Sequence, residues 1–511
     1  MSKIFLLITM FFVSVLLVST VSATNWYVDN QATGTGSGVN WANAATAVHR
    51  LPWSSVNAGD TVHISGGSVS KTYSKDYINN KKVTGGIVTV TKGKDAGHNG
   101  DVIFQQTSPV AVNGWERYTF SVHSSENIKL TGLTFITAVN DDEEGRFIVG
   151  FSNGFNNWID NCHVISNGNG VPVYFDHETK LKITNNILET LPNTFLWGQD
   201  IINGGGGGGG HTITGNILIG RGSVYSDYAH KDMIQMGGGE GLSNNYVMTI
   251  ANNFFYYNVP VVPLSAVLYL AGIGSGRLLI YNNIIVTNLN GVAAIVAYPT
   301  PTTYNLSAKI FNNVIIDSGV TGGHDMIVVG DLSSLAVKNN IAVYNAVTSG
   351  NQNFITFIQD GRGYIKSIDI DYNHYYRING VSNKFAGYTW TQWQGLGYDL
   401  HGNVGLVNFA NILGSAKQDY RLLEGSLGID AGTSITDFNA DIFGTSRPQG
   451  TAWDIGAYEY VSDGVTYHPA DLNSDGCVSL GEISSYVGRW LNGQITLGTV
   501  SSGVSKWLGG C

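Results

Sequence analysis

Polar and apolar positions follow a repeated phrase along this chain, in which one or two asparagines are followed at once by a short run of large apolar residues. It reads Asn161-Cys162-His163-Val164, Asn185-Asn186-Ile187-Leu188, Asn216-Ile217-Leu218-Ile219, Asn252-Asn253-Phe254-Phe255, Asn282-Asn283-Ile284-Ile285, Asn312-Asn313-Val314-Ile315 and Asn339-Asn340-Ile341-Ala342. Asn253, Asn283 and Asn313 fall 30 residues apart, and a near-constant step of this size marks a solenoid whose coils are the repeats. The runs on either side of each phrase are short, β-branched or aromatic, such as Leu278-Leu279-Ile280-Tyr281 and Ile284-Ile285-Val286. They predict strands, since a helix needs longer runs at helical period. Asparagine tolerates the left-handed backbone of a tight corner, and its amide can bond to an asparagine one coil away. The expected fold is all-β, a parallel β-helix with Asn253, Asn283 and Asn313 stacked at one corner.

Lys3, the apolar run from Ile4 to Val18 and then Val21-Ser22-Ala23 have the layout of a secretory signal peptide cleaved after Ala23. The run is shorter than the about 20 residues of a membrane span, and no later segment is apolar enough to make one. The mature chain is therefore expected to be secreted or at the cell surface. A hydrophobic content of 43% with 13% charged residues suits a packed protein, and 66 glycines against 10 prolines suit many tight turns. A net charge of −10 argues against nucleic acid as a partner, and an anionic polysaccharide would need a local basic patch or a bridging cation. Of the three cysteines, Cys162 falls within a strand phrase and is expected to be a buried thiol.

Near the start, Asn25-Trp26-Tyr27-Val28-Asp29, Asn40-Trp41-Ala42-Asn43-Ala44-Ala45 and Ala58-Gly59-Asp60-Thr61-Val62-His63-Ile64 read as strand, short Ala-rich segment and strand. This resembles the N-terminal cap of secreted right-handed β-helix proteins of the pectate-lyase-like superfamily, in which a short helix covers the open first coil. Later phrases, Gly428-Ile429-Asp430-Ala431-Gly432 and Asp454-Ile455-Gly456-Ala457-Tyr458-Glu459, resemble the C-terminal end of choice-of-anchor or polysaccharide-lyase-like β-helices. Asp430, Asp441, Arg447, Asp454 and Glu459 are expected to form hydrogen bonds and ion pairs closing the final coil. The chain thus divides into a signal peptide (1–23), a cap with the first coils (24–126), the β-helix with its closing segment (127–461), a linker (462–469) and a small α-helical module (470–511).

That module opens on Asp471-Leu472-Asn473-Ser474-Asp475-Gly476-Cys477-Val478-Ser479-Leu480-Gly481-Glu482, the twelve-position pattern of an EF-hand calcium loop. Asp471, Asn473, Asp475 and Glu482 supply side-chain oxygens, Cys477 its backbone carbonyl, and Gly476 the sharp turn. The segment from Gly476 repeats 17 residues later from Gly493, and a duplicated loop-helix unit of this kind resembles a dockerin, the module that joins carbohydrate-active enzymes to cohesin-like partners. In the second copy Gly488, Trp490 and Thr499 stand where the first has Asp471, Asn473 and Glu482, so one calcium is implied. Cys477 and Cys511 could form a disulfide joining the two ends of a module too small to have much core.

The longest step, from Asn216 to Asn253, carries an insertion containing Arg221, Asp227, His230, Lys231 and Asp232. His230-Lys231-Asp232-Met233-Ile234-Gln235 is similar to a phrase of β-helix lyases and hydrolases. If Ile234 and Met236 point inward, alternation sends Lys231, Met233 and Gln235 outward. In uronate eliminases of this superfamily a basic side chain removes the proton beside a carboxylate. The resemblance implies Lys231 or Arg221 as that base, with Asp227 or Asp232 holding a cation and His230 tuning the base. A second reading has Asp232 and His230 capping a turn with Lys231 solvated. Asp176-His177-Glu178 with Asp200 could instead supply the paired carboxylates of a glycoside hydrolase. The functional expectation is a secreted polysaccharide lyase or glycoside hydrolase docked through its calcium module. The alternative is a non-catalytic adhesin with the same solenoid, binding glycans.

Overall fold

The computed structural model describes residues 23–106, 117–137, 146–167, 170–191, 200–205, 208–221, 232–237, 246–257, 264–273, 276–299, 305–318, 325–345, 352–358, 365–378, 383–461, 470–471, 478, 482–484, 486–487 and 497–508. The expected signal peptide, apart from Ala23, and the expected linker lie outside them. One coil shows the plan. Trp158–Asp160 lies in a first sheet, A; the chain turns at Asn161 into His163–Ser166 in sheet B, continues to Gly170–Asp176 in sheet C, and turns again to Lys182–Thr184, back in sheet A. Repetition of this course gives sheets of 12, 12 and 10 strands in A, B and C, all parallel, with the apolar core between them. A parallel β-solenoid is what the asparagine phrase predicted.

The asparagines stack at the corner between sheets A and B. The Nδ2 of each donates to the Oδ1 of the next: Asn186 to Asn216, Asn216 to Asn253, Asn253 to Asn283 and Asn283 to Asn313, all at 3.0 Å. Asn313, Asn340 and Asn373 extend the ladder at 2.9 Å, the last bond ending on Asp399. Each Oδ1 also accepts the backbone N–H of the preceding ladder residue, as Asn283 does from Asn253 at 3.0 Å. The two asparagines of a phrase have separate tasks. The first carries the left-handed backbone, with φ of 56°, 52°, 51° and 57° at Asn252, Asn282, Asn312 and Asn339, and the second is the ladder rung. Where a phrase has one asparagine, either task can be the one kept. Asn161 is the left-handed residue ahead of Cys162, whereas Asn216 is a rung preceded by Gly215 at φ 70°. Cys162 therefore occupies the rung position, and its N–H donates to Asn186 Oδ1 at 2.9 Å. Burial pushes the Cys162 thiol up to about 12, so it stays protonated.

Asp399 is suited to the ladder's last position because four donors converge on it. Its Oδ1 accepts Asn373 Nδ2 and N–H, while Oδ2 accepts Tyr375 Oη and Trp393 Nε1, both at 2.9 Å. An amide there would turn an N–H toward one pair of these donors. Trp393 itself is fully buried, in a helix (Trp390–Gly395) capped by Thr389 and Gln392. This helix and the hairpin of Lys384–Phe385 with Tyr388–Thr389 close the C-terminal end of the core. At the other end, where a short helix was expected, stand two single turns of 3-10 helix, Trp41–Asn43 and Val48–Arg50, and Ala45, Val48, Leu51 and Val56 are buried against the first coil.

Residues 405–461 do not close the final coil, as had been expected of them; they run back along the outside of the solenoid as a strap. Val407, Phe409, Tyr420, Leu422, Ile442 and Ile455 pack on Phe254, Ile284, Val286, Val314, Ile316, Ile341 and Val343 of sheet B. Side-chain amides of the left-handed asparagines hold the strap's backbone: Asn282 donates to Ala440 O at 2.7 Å, Asn312 to Asp454 O and Gly456 O at 3.0 Å, and Asn339 to Thr433 O at 2.7 Å. The expected polar network is present within the strap, where Arg447 is fully buried 2.7 Å from Glu459. Asp441 and Asp454 accept backbone N–H groups from Thr445 and Asp430. The strap explains a contrast in the sequence: Ile284–Thr287, Val314–Asp317 and Ile341–Tyr344 are buried at every residue because both faces are covered, whereas Ile187–Thr190 alternates.

Removing a rung leaves a buried donor and acceptor unmatched. Asn283→Ala is expected to lower stability by about 1–3 kcal/mol, and Asp399→Asn by a similar amount, read as the shift in urea midpoint. Asp369→Asn on the exposed face of sheet A is expected to leave the midpoint within about 0.5 kcal/mol of the parent. Equal effects at Asp399 and Asp369 would contradict the ladder's role.

Candidate functional site

Sheet C does not follow simple alternation. On six of its coils two consecutive residues enter the core: Ile148-Val149, Ile201-Ile202, Met233-Ile234, Val267-Leu268, Ala294-Ile295 and Met326-Ile327. The residues flanking each pair then face outward together. Met233, expected outside, is in the core, and Asp232 takes the outer side in its place. The parity that pointed Lys231 outward is thus broken at the next residues, and Lys231 itself lies outside the described residues, with His230 and Asp227.

Two outward rows result, set by the coil register. Before the paired core residues lie Asp200, Asp232, Ala266, Ala293 and Asp325; after them lie Tyr174, Asn203, Gln235 and Tyr269. The first row's aspartates support the coil beyond. Asp200 Oδ1 accepts from Asp232 N at 2.9 Å, Asp232 Oδ1 from Ala266 N at 2.8 Å, and Asp325 Oδ1 from Asn353 N at 2.6 Å. Between the rows, Asn203 Nδ2 donates to Asp200 Oδ2 at 2.6 Å and to Gln235 Oε1 at 2.9 Å. Asp232 thus supports the backbone of the next coil, not a turn of its own.

Aromatic side chains flank this polar centre. On one side Phe147 and Tyr174 stack at 3.9 Å, with Tyr118 at 5.3 Å from Phe147. Tyr118 lies flat on the backbone because residue 150 is glycine; a Cβ there would sit 2.0 Å from its ring. Burial raises the hydroxyl pKa of Tyr118 and Tyr174, and the Asp176 charge adds to the rise, so both hydroxyls remain neutral donors. On the other side the hydroxyls of Tyr269 and Tyr298 are 3.1 Å apart. These rings were missed in the sequence, although Tyr269 is an aromatic interrupting an aliphatic run, Leu268-Tyr269-Leu270.

The other proposed residues separate. Arg221 lies on the sheet B side, its guanidinium 3.3 Å from Glu189 Oε2, and Glu189 also meets His163 Nε2 at 2.8 Å; Arg221 and Asp232 are not brought together. Asp176, His177 and Glu178 split at a corner: Asp176 faces outward against His177 at 2.9 Å, while Glu178 is fully buried and accepts from Asn157 Nδ2 at 2.8 Å. Asp176 is opposite Gly205 in register, so Asp200 lies five residues away along the strand, roughly 15 Å, beyond the separation of a glycosidase pair. In the small module, Asp471 and Glu482 are both buried, near a core of Ala470, Val478, Ile483, Tyr486 and Val500. Asn473, Asp475, Cys477 and Cys511 lie outside the described residues.

No protein-family model matches this chain, and no curated protein sequence does. Its fold is similar to a solved structure described as the crystal structure of pectate lyase Pel9A, with a TM-score of 0.51 and 14% identity over 86% of this chain and 97% of that one. A rhamnogalacturonan lyase aligns over 67% of this chain and 87% of its own at 13% identity and a TM-score of 0.40. At such identities the likeness is one of fold. Among the described residues, no helix is long and apolar enough to cross a membrane.

Glu178 offers a pH-dependent check on this geometry. Burial raises its carboxyl to about 8, against 4.5 ordinarily, so the folded chain holds a proton that the unfolded chain has released. Stability from this group is therefore complete below about pH 4.5 and declines as pH rises through 8. Glu178→Gln should flatten that decline in urea midpoints measured at successive pH values. An unchanged slope would mean that Glu178 is solvated.

Proposed function

We propose that this protein is a secreted carbohydrate-active β-helix that holds a polysaccharide against the outer face of sheet C and cleaves it as a lyase. The carrying observation is the row Tyr174, Asn203, Gln235 and Tyr269, which combines aromatic rings with amide donors and acceptors across successive coils. The similarity of fold to a pectate lyase supports the same reading. A hydrolase is less well served, since Asp176 and Asp200 are far apart and Asp200 is engaged by Asp232 N and Asn203. In the lyase reading Lys231, next to Asp232 in sequence, takes the proton beside the substrate's carboxyl group, and the glycosidic oxygen leaves. His230 and Asp227 tune the lysine or hold a cation that stabilises the developing charge, and Asp232 keeps the segment in register through Ala266 N.

The C-terminal module is proposed to bind one calcium through Asp471, Asn473, Asp475, the carbonyl of Cys477 and Glu482, and to dock the protein to a cohesin-like or cell-surface partner. The twelve-position sequence pattern supports this reading, and its first and last residues, Asp471 and Glu482, are both buried. A non-catalytic adhesin remains the second reading, favoured by the structural duty of the sheet C aspartates.

Incubation with pectate, alginate and esterified pectin in the presence of calcium should generate the ultraviolet absorbance of an unsaturated sugar, and Lys231→Ala should abolish it without moving the melting temperature. Glycan binding with no product from any polymer would replace the lyase with the adhesin. Calorimetric titration should find one calcium per chain in the module, lost in Glu482→Gln; two tight sites there would contradict the reading of the second copy.

A further inference from the structure

We infer that the flanking subsites of the sheet C face bind uncharged pyranose rings, so that the preferred polysaccharide is one of low charge density lying along the solenoid axis. This rests on the polysaccharide reading above and goes beyond it in naming the substrate's character. Tyr174, Asn203, Gln235 and Tyr269 occupy one register row on four successive strands. Three steps of about 4.8 Å separate the two tyrosines by about 14 Å, a span that an extended sugar chain covers with rings over both ends. The Phe147–Tyr174 stack, at 3.9 Å, presents an aromatic surface of the kind that packs against the C–H face of a sugar ring. At the opposite end, Ala266, Ala293, Val296 and Val328 form an apolar bed beneath Tyr269 and Tyr298. Asn203 and Gln235 between them read hydroxyl groups.

The charges agree. Among the described residues, those on this face at and between the two ends are Asp176, partly exposed beside His177, and Asp200 and Asp232, both buried and engaged by backbone N–H groups, with Arg117 near the Tyr118 and Tyr174 hydroxyls. A fully ionised polyuronate would bring a carboxylate per sugar toward Asp176 and toward a protein of net charge −10. A chain whose carboxyls are masked as esters avoids that repulsion, retains the stacking and keeps the acidified C–H that a lyase deprotonates.

The test is calorimetric titration of the full chain with methyl-esterified polygalacturonan, the same polymer after de-esterification, and a neutral galactan. Esterified polymer should bind at least about tenfold tighter than the de-esterified one, with the neutral galactan, which has no carboxyl group for a lyase, binding no tighter than the esterified polymer. Tyr174→Ala and Tyr269→Ala should each weaken that binding about tenfold, while Trp158→Ala on the outer face of sheet A leaves it unchanged. A conservative Tyr174→Phe should restore it, separating loss of the ring from loss of fold. Tightest binding of the de-esterified polymer, indifferent to both tyrosines, overturns this inference and leaves the polysaccharide reading standing. Binding of no polymer overturns both.

Discussion

The hydrogen bond from one asparagine amide to the next at the A–B corner is the constraint on which the coils depend. A parallel sheet can slip by a residue and present the wrong face, and only a feature recurring once per coil prevents it. Here the rung satisfies the backbone N–H of one neighbour and the amide of the same residue, so a slipped coil would leave buried polar groups unmatched on several atoms at once. Once the corner is in register, the rows on sheet C follow. Tyr174, Asn203, Gln235 and Tyr269 share a line although the steps between them in sequence are 29, 32 and 34 residues. Length differences are taken up between the strands.

The same corner partitions the surface. Its left-handed asparagines have their amides turned outward, where three of them hold the strap and cover the downstream part of sheet B. Sheet C has half-buried rings and amides on its outer face instead. The sides of the solenoid differ in composition: aliphatic on both faces under the strap, mixed aromatic and amide on sheet C.

Much of this was readable from the residues. The asparagine phrase predicted the strands, the corner and the stacking of Asn253, Asn283 and Asn313, because a polar residue recurring at coil period has one physical use in a core. The division of labour within Asn-Asn was missed, since either residue can adopt the left-handed conformation. The strap was misread as an end cap because its Asp, Arg and Glu residues were visible in sequence while their target, a side of the solenoid rather than its end, was set by long-range packing. Alternation failed at Met233 for a related reason. Two adjacent core residues recur in sheet C, and a period of two cannot represent a bend. The aromatic row was overlooked because its members are spread over about a hundred residues and converge only through the register.

Hydrogen exchange measured with and without the preferred polysaccharide tests most directly the proposed placement of a bound chain on sheet C, along the axis. Slower exchange is expected in Gly170–Asp176, Ile202–Gly205, Asp232–Met236 and Leu264–Ile273, with the strap and the strands of sheet A unchanged. Protection confined to sheet A, to the strap or to Leu497–Leu508 would contradict it.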